Sequence, residues 1–221
     1  MYVPKHYQVD ERWSKALIYS HPLAILMTNG VSVPFATHLP VVVPPHVREQ
    51  FDAGFSLEGQ TIFGHLNRAN PHWEALQKGG PSTLVFHGKN SYISPTVYEV
   101  TPAAPTWNFT AVHLHGNIRV IRERESTLQV IRWTVDAFES EFGKNWDMGP
   151  SLGYFDRIVD GVGAFEFDII GVDAMFKLSQ EQPAEVQTRV VRSFGAGSAC
   201  PHHAELGQMI SQINQVEETG L

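Results

Sequence analysis

Short apolar runs separated by turn-forming residues fill the first part of the chain. The segment DERWSKALIYSH (10–21) places its apolar residues at helical spacing behind an acidic start, which predicts a first helix. PLAILMTNG (22–30) predicts a buried strand whose closing Asn-Gly pair is typical of a hairpin turn. SVPFATHLPVVVPP (32–45) predicts one or two returning strands, and Pro40 confines that part to a sheet edge or a strand start.

The middle of the chain continues with short strands and helices. The pattern predicts a short helix, a strand, a helix and two strands around a turn at Gly88-Lys89-Asn90, in PHVREQF (45–51), GQTIFGHLN (59–67), NPHWEALQKGG (70–80), PSTLVFHG (81–88) and NSYISPTVY (90–98). Pro71 suits the first turn of its helix, and two glycines follow at the other end.

The second half begins with a long β segment, TWNFTAVHLHGNIRVIRE (106–123). In it Val112 and Leu114 alternate with His113 and His115, so the two histidines share one face of the strand. Two helices, a pair of strands and a helix that begins at Pro183 are predicted next, in ESTLQVIRWTVDAFESEF (125–142), SLGYFDRIVDG (151–161), VGAFEFDIIGVDAMFKLS (162–179) and QPAEVQTRVVRSFG (182–195).

These elements predict an α+β fold. Many short strands, interrupted by helices rather than alternating with them, indicate an antiparallel barrel with flanking helices. We expect residues 1–195 to form the main domain and residues 196–221 to form a C-terminal helix and tail. No GxGxxG and no GxxxxGK[ST] motif occurs, so a Rossmann or P-loop nucleotide site is unsupported.

Composition narrows the class of partner. Charged residues make up 18% of the 221 residues and the net charge is −7, with no basic run, so nucleic acid is a poor candidate. No apolar run approaches the ~20 residues of a membrane helix, and the N-terminus lacks the apolar core of a signal peptide. The single cysteine, Cys200, excludes an internal disulfide and favours a cytoplasmic location.

Histidine is the residue type that stands out, with 11 in the chain. It is the commonest metal ligand and titrates near neutrality. His65 lies where a predicted strand gives way to a turn and a helix, a usual position for ligands because a rigid element aims the side chain. On pattern alone, a structural histidine is the commoner outcome. Arg68 is either a partner for a carboxylate or phosphate or an ordinary surface arginine.

Side chains that suit a pocket concentrate in SPTVYEVTPAAPTWNFTAVHLHG (94–116). Trp107 and Phe109 offer flat apolar walls, and Thr106 and Asn108 offer polar groups, a combination that suits a planar cofactor. Taken alone, Trp107 is slightly better explained as a core residue.

Two further segments carry candidate chemistry. FKLSQEQP (176–183) places Lys177, Ser179 and Gln180 near a helix N-terminus that favours anions, with a solvated turn as the alternative. CPHH (200–203) is a weak candidate for metal binding because it lies near the chain end. No HExxH, CxxC or Asp-rich loop occurs, so a standard zinc or calcium site is not expected.

Seven motifs occur in an order that resembles one known family. They are MYVPKHY, HPLAILMTNG, ATHLP, GHLNRANPHW, SYISPTVY, PTWNFTAVHLHG and FKLSQEQP. Over residues 1 to about 190 the chain is similar to the PaiB-like FMN-binding proteins, which are known as negative transcriptional regulators. The resemblance implies a split β-barrel and a homodimer with its cofactor pocket near the subunit interface.

One departure points to a side branch of this family. Flavin-type members carry a longer, lysine-containing stretch before a PTWNY motif, whereas this chain has only EVTPAAPTWNF (99–109), and a flavin phosphate needs cationic or amide donors. The chain looks more like the haem-dependent piperazate synthases. These bind haem b and close the N–N bond of L-piperazic acid from N-delta-hydroxy-L-ornithine. A histidine of their GHLNRAN segment is the iron ligand, which implies that role for His65.

The same resemblance implies further residue roles. The candidate bases or proton donors are Lys177, His38, His113 and Tyr92. The expected cofactor-binding residues are His65, Arg68, Thr106, Trp107, Ser179 and Gln180, with FMN as the alternative cofactor. Arg68 or Lys177 would pair with a haem propionate or with the carboxylate of the amino-acid substrate. Gly64 is expected to form the turn that presents His65, and His72 and Trp73 are expected to pack on the following helix.

Overall fold

The computed structural model describes residues 1–144, 146–195 and 201–216, with the side chains of 201–203 left aside. The strands are β1 (Leu23–Thr28), β2 (Phe35–Val42), β3 (Thr61–Asn67), β4 (Gly80–Ile93), β5 (Thr106–Val120) and β6 (Val162–Lys177). The α-helices are α1 (Glu11–Ser20), α2 (Pro45–Asp52), α3 (Pro71–Leu76), α4 (Arg124–Phe142), α5 (Leu152–Ile158), α6 (Ala184–Ser193) and α7 (Pro201–Asn214). Single 3₁₀ turns lie at Lys5–Tyr7, Pro95–Val97, Gly149–Ser151 and Val159–Gly161.

The six strands form a closed barrel in the order β1-β2-β3-β6-β5-β4. The pairs β1–β2, β1–β4, β2–β3 and β3–β6 are antiparallel. Closure leaves no long open sheet edge, which removes the usual site of edge-to-edge aggregation. The predicted α+β split β-barrel with flanking helices is confirmed.

The chain divides into two compact units. The barrel unit comprises Glu11–Phe86 and Val112–Asp173, and the terminal unit comprises Met1–Asp10, His87–Ala111 and Ala174–Leu221. The predicted boundary at 195/196 meets a segment, 196–200, that lies outside the described residues, so that domain division stays a prediction. Cys200 lies outside the described residues as well.

Two predicted turns are absent because the strands run through them. β4 is one strand, and at Lys89–Asn90 its alternation of buried and exposed residues shifts by one position. Such a shift is typical of a β-bulge, which uses the same turn-forming residues without ending the strand. β6 is likewise one strand of 16 residues rather than a pair.

The β1–β2 hairpin is confirmed, but its geometry differs from the expectation. Thr28 pairs with Phe35, so residues 29–34 form the loop and the Asn-Gly pair only begins it. Pro40 lies inside β2 opposite Leu23, neither at a strand start nor at the edge of an open sheet. Its missing N–H is tolerated because β3 pairs with β2 only beyond this residue, at Val41 and Val42.

The core of the barrel unit has an inner and an outer layer. Large, fully buried side chains fill the barrel interior, among them Leu26, Leu84, Phe86, Phe165 and Phe167. On the outside, α4 covers β2, β3 and β6 through a cluster of Val42, Ile121, Val130 and Ala164, with Phe63 and Trp133 packed against it. This outer cluster determines which outward residues of β3 stay accessible.

The terminal unit has its own core around α6 and α7. Val190, Phe194, Leu206 and Ile210 are buried there. The side-chain amide of Asn214 donates to the carbonyl oxygen of Leu178 at 2.9 Å, which ties α7 to the segment that follows β6.

Candidate functional site

A cavity opens where β2 and β3 part. The two strands are paired only at Val41↔Gly64 and Val42↔Phe63. The next residue of β2 is Pro40, which has no N–H to continue the ladder. Beyond this point a cavity of about 440 Å³ separates the strands, and it is lined by Thr37, His38, Leu39, Pro40, His65, Leu66, Asn67, Asn70, Gly161 and Val162. The opening therefore follows from the sequence of β2.

His65 is the first outward residue of β3 at the cavity. The preceding outward residue, Phe63, is covered by Trp133 of α4, with ring centroids 5.2 Å apart. Ile62, Gly64 and Leu66 face inward and are buried. Strand alternation thus turns His65 away from the barrel interior, into the space that α4 leaves uncovered.

The imidazole of His65 has one buried and one accessible nitrogen. Nδ1 is buried and makes no hydrogen bond within the described part of the chain. Nε2 is not among the buried unpaired atoms, and the residue is partly exposed where it lines the cavity. Burial lowers the pKa of His65 below its ordinary 6.5. At neutral pH the ring is therefore uncharged, which is the form that binds metals.

Gly64 lies within β3 and not in a turn, so that prediction is wrong. A Cβ at this position would come within 2.4 Å of Cζ of Phe165 and 3.0 Å of the carbonyl oxygen of Pro40. The residue is glycine because the Phe165 ring lies directly against the backbone beside His65.

Arg68 is fixed at the rim of the cavity. Its backbone N–H donates to the carbonyl oxygen of Gly161 and its Nε to that of Val162, both at 2.9 Å. The guanidinium carbon lies 5.7 Å from the centroid of the Trp73 ring, a cation–π contact. The two terminal nitrogens make no hydrogen bond to the described residues. They form a preorganised donor pair for a carboxylate or a phosphate.

His38 lines the same cavity as His65 and is exposed. It lies two residues before Pro40 on β2, so both point to one face of the strand. The structure thus brings together two of the predicted site residues, with Arg68 beside them.

His72 is a structural histidine, as expected. It is 0% exposed and stacks on Phe35 with ring centroids 4.9 Å apart. Its Nε2 lies 2.8 Å from the hydroxyl of Thr28 and its Nδ1 lies 2.9 Å from that of Thr37. Both ring nitrogens are hydrogen-bonded, in contrast to those of His65.

A second cavity of the barrel unit holds His113 and His115. It measures about 690 Å³ and is lined by Met27, Thr28, Asn29, Pro34, Pro81, Ser82, Thr83, Val85, His113, His115, Gly116, Asn117, Ile170 and Gly171. The two rings lie 6.4 Å apart on one strand face, as predicted. His115 Nδ1 lies 3.2 Å from the hydroxyl of Thr83, and Nε2 lies 3.1 Å from Oδ2 of Asp173. Burial lowers the pKa of His113. This cavity shares no lining residue with the His65 cavity.

Sequence reasoning missed Thr83 and Asp173. Both are distant in sequence from His115, and they reach it because β4 and β6 flank β5 in the barrel. No local pattern signals such a pairing.

The remaining predicted residues lie in the terminal unit. Lys177 donates a hydrogen bond to the hydroxyl of Thr106, and its Nζ lies 5.9 Å from the centroid of the Tyr7 ring. Ser179 accepts from the side-chain amide of Asn108 at 2.8 Å and has a positive φ of 65°. These contacts fix the end of β6 against β5.

Gln180 uses its side-chain amide within its own turn. Its Oε1 accepts from the backbone N–H of Leu178 at 2.6 Å, and its Nε2 donates to the carbonyl oxygen of Phe176 at 2.5 Å. This local closure replaces the hydrogen bonds that β6 would otherwise continue.

Trp107 and Tyr92 form an exposed aromatic pair. They are 52% and 51% exposed, with ring centroids 6.0 Å apart. The interpretation of Trp107 as a core residue is therefore wrong, because its position on β5 faces outward.

A closed antiparallel barrel of six strands with flanking helices is the architecture of the split-barrel proteins. The family described as "Putative FMN-binding domain" matches residues 1–170, and the chain belongs to this family. Protease synthase and sporulation protein PAI 2 of Bacillus subtilis (strain 168) is 25% identical over 190 residues, which cover 82% of this chain and 83% of the relative.

Solved structures support the same fold. The conserved hypothetical protein Rv2991 from Mycobacterium tuberculosis has a TM-score of 0.55 at 12% identity, covering 83% of this chain and 94% of that protein. The FAD and haem binding protein from Mycobacterium smegmatis has a TM-score of 0.51 at 14% identity, covering 77% and 72%. At such identities the likeness shows the fold alone.

The described residues contain no group of three or more His, Cys, Asp or Glu side chains suited to holding a metal ion. Within the same residues, no helix has the length and apolarity needed to cross a bilayer.

Proposed function

We propose that this protein binds haem b through His65 and closes the N–N bond of L-piperazic acid from N-delta-hydroxy-L-ornithine. The observation that carries the proposal is the accessible Nε2 of a neutral His65 in the cavity between β2 and β3. A single neutral imidazole is the ligand that leaves one face of a haem iron open to a substrate.

The reaction is balanced without a reductant or an oxidant. The N–O bond of the hydroxylamine breaks and the N–N bond to the α-amine forms. The hydroxyl takes up the proton that the α-amine loses and leaves as water. Bound haem would supply a Lewis acid for the departing oxygen. The protein must hold the chain folded for ring closure and take a proton from the α-ammonium group.

Residues of the cavity suit these tasks. The fixed guanidinium of Arg68 is a carboxylate partner, for the substrate or for a haem propionate. His38 is the candidate base that shares the cavity with His65. The resemblance also gives three other candidate bases or proton donors, Lys177, His113 and Tyr92. His113 lines the other cavity, and Lys177 and Tyr92 belong to the terminal unit.

FMN is the second candidate cofactor, with an oxidoreductase or regulatory function. The family match favours it, and a neighbour of this fold binds FAD together with haem. Against it, the stretch EVTPAAPTWNF (99–109) lacks the lysine that flavin-type members carry, so Arg68 beside the His65 cavity is the candidate cation for a flavin phosphate.

The test is reconstitution of purified protein with haem, compared with FMN. We expect a Soret band near ~400 nm for the wild type, its loss or collapse in His65→Ala, and retention in His113→Ala, which lines the other cavity. Retention of an unchanged spectrum in His65→Ala would refute the assignment. Tight FMN binding without haem binding would favour the second candidate. Incubation of the haem-loaded protein with N-delta-hydroxy-L-ornithine then tests for the loss of one water by mass spectrometry.

We also propose that the protein works as a homodimer in the cytoplasm. The exposed pair of Trp107 and Tyr92 supports self-association, because aromatic side chains are enriched at subunit interfaces. Light scattering on the wild type and on Trp107→Ser measures the oligomeric state.

A further inference from the structure

We propose that His65 is an iron ligand without a hydrogen-bond partner on its far nitrogen, and that this keeps the bound cofactor exchangeable. The inference rests on the proposed function, since it concerns the same residue. It goes further in assigning the state of each ring nitrogen and the strength of the bond that Nε2 can make.

The surroundings of Nδ1 explain why it is unpaired. The residue opposite His65 on β6 is Ala164, and the preceding outward residue on β3 is Phe63. Neither side chain can accept or donate a hydrogen bond. Nδ1 lies on the part of the ring nearest the backbone, and it is buried without a hydrogen-bond partner among the described residues.

The ring proton therefore has one favourable position in the cofactor-free protein. Nε2 is the accessible nitrogen, so water can accept a hydrogen bond from it. The expected tautomer carries the proton on Nε2 and leaves Nδ1 bare. Coordination through Nε2 then requires the proton to move to Nδ1, where no acceptor is present. Ligating histidines usually donate that proton to a carboxylate or carbonyl, and loss of such a partner typically lowers metal affinity 10–100-fold.

Ala164 offers a way to supply the missing partner. Opposed residues of an antiparallel pair have Cβ atoms about 4.5–5.5 Å apart, so a hydroxyl at this position can reach Nδ1. Ala164→Ser adds one oxygen to a residue that is 0% exposed, with little change in volume. Ala137→Ser is the matched control, because Ala137 packs against the same cluster from α4.

Three measurements test the proposal, the first of which needs no cofactor. In ¹⁵N-labelled apoprotein, two-bond ¹H–¹⁵N spectra are expected to show a bare, unbonded Nδ1 in the wild type and a hydrogen-bonded Nδ1 in Ala164→Ser. In haem-loaded protein, transfer of haem to excess apomyoglobin is expected to be about 10–100-fold slower in Ala164→Ser. The ferrous Fe–His stretching band is expected to rise in the same variant. Ala137→Ser should match the wild type in all three.

The outcomes separate this proposal from the proposed function. A wild-type Nδ1 that is already hydrogen-bonded in the apoprotein overturns the proposal, whether or not haem binds. Haem transfer equally fast in Ala164→Ser and the wild type, with a bonded Nδ1 in the variant, overturns the claim about exchange. Failure of any variant to bind haem, with the bare Nδ1 confirmed, instead refutes the proposed cofactor and upholds the unpaired state of His65.

Discussion

Substitution of His72 by alanine removes the most fully engaged histidine of the barrel unit. The side chain is 0% exposed, is close to two threonine hydroxyls at 2.8 and 2.9 Å, and stacks on Phe35. Two lost hydrogen bonds cost about 1 kcal/mol each. The lost packing of the ring costs about 2 kcal/mol more, by analogy with other buried large-to-small changes. The expected decrease in the free energy of unfolding is about 4 kcal/mol.

The assay is equilibrium urea unfolding followed by far-UV circular dichroism. His87→Ala is the control, because His87 is exposed, and it should change the free energy of unfolding by less than about 0.5 kcal/mol. The Soret spectrum of any haem-loaded His72→Ala protein that remains folded should match the wild type. A destabilisation below about 1 kcal/mol would refute the assigned hydrogen bonds, and a lost Soret band would give His72 a role in the site.

The pH dependence of stability gives a second readout of the same residue. Burial lowers the pKa of His72 below its ordinary 6.5, so the unfolded chain takes up a proton before the folded chain does as pH falls. The stability present above about pH 6.5 is therefore lost progressively on acidification towards the folded-state pKa. His65 acts in the same direction. His72→Ala should reduce this acid slope, and an unchanged slope would contradict a neutral, buried His72.

Two further substitutions test the packing around the site, and a third tests a pair of exposed ion pairs. Gly64→Ala should cost about 1–3 kcal/mol in urea unfolding, because the added methyl meets the ring of Phe165 at 2.4 Å. Gly163→Ala should cost a similar amount of about 1–3 kcal/mol, since its Cβ would lie 2.5 Å from the Trp73 ring; a neutral result for either would contradict the close approach. Arg124→Gln should leave the unfolding midpoint nearly unchanged, because the ion pairs of Arg124 with Asp156 and Asp160 are exposed. A large decrease in the unfolding midpoint would show that these ion pairs stabilise the fold more than exposed ion pairs usually do.

Much of the barrel was predictable because its strands and helices carry local signals. The alternation of β5, the helical stripe of α4 and Pro71 at the start of α3 are each read within a dozen residues. The errors in the predicted turns and strand ends have one physical origin, since turn-forming residues do not always make turns. At Lys89–Asn90 the strand β4 continues with a one-residue shift in its alternation, and at Pro40 the partner strand departs instead.

The site was only partly predictable. His65 and His38 are adjacent to the parting of β2 and β3, but that parting becomes visible only when the register of the two strands is known. Asp173 and Thr83 meet His115 across three strands, which no spacing along the chain indicates. Ala164, which lies opposite His65 and offers it no hydrogen bond, is not recognisable from the sequence because an alanine in a strand carries no chemistry.

The two histidines of GHLNRANPHW show why residue type alone cannot assign a role. His65 lies on the outward face of β3, beside Pro40, where β2 and β3 part. Its Nε2 is accessible there, and its Nδ1 is buried and unpaired within the described residues. His72 is carried by the first turn of α3, which Asn70 caps through the backbone N–H of His72 at 2.9 Å. That cap fixes the helix start and turns the imidazole inward to Thr28 and Thr37. Both nitrogens of His72 are engaged by side chains, whereas the accessible Nε2 of His65 is engaged by none of the described residues, and this difference makes His65 the ligand candidate.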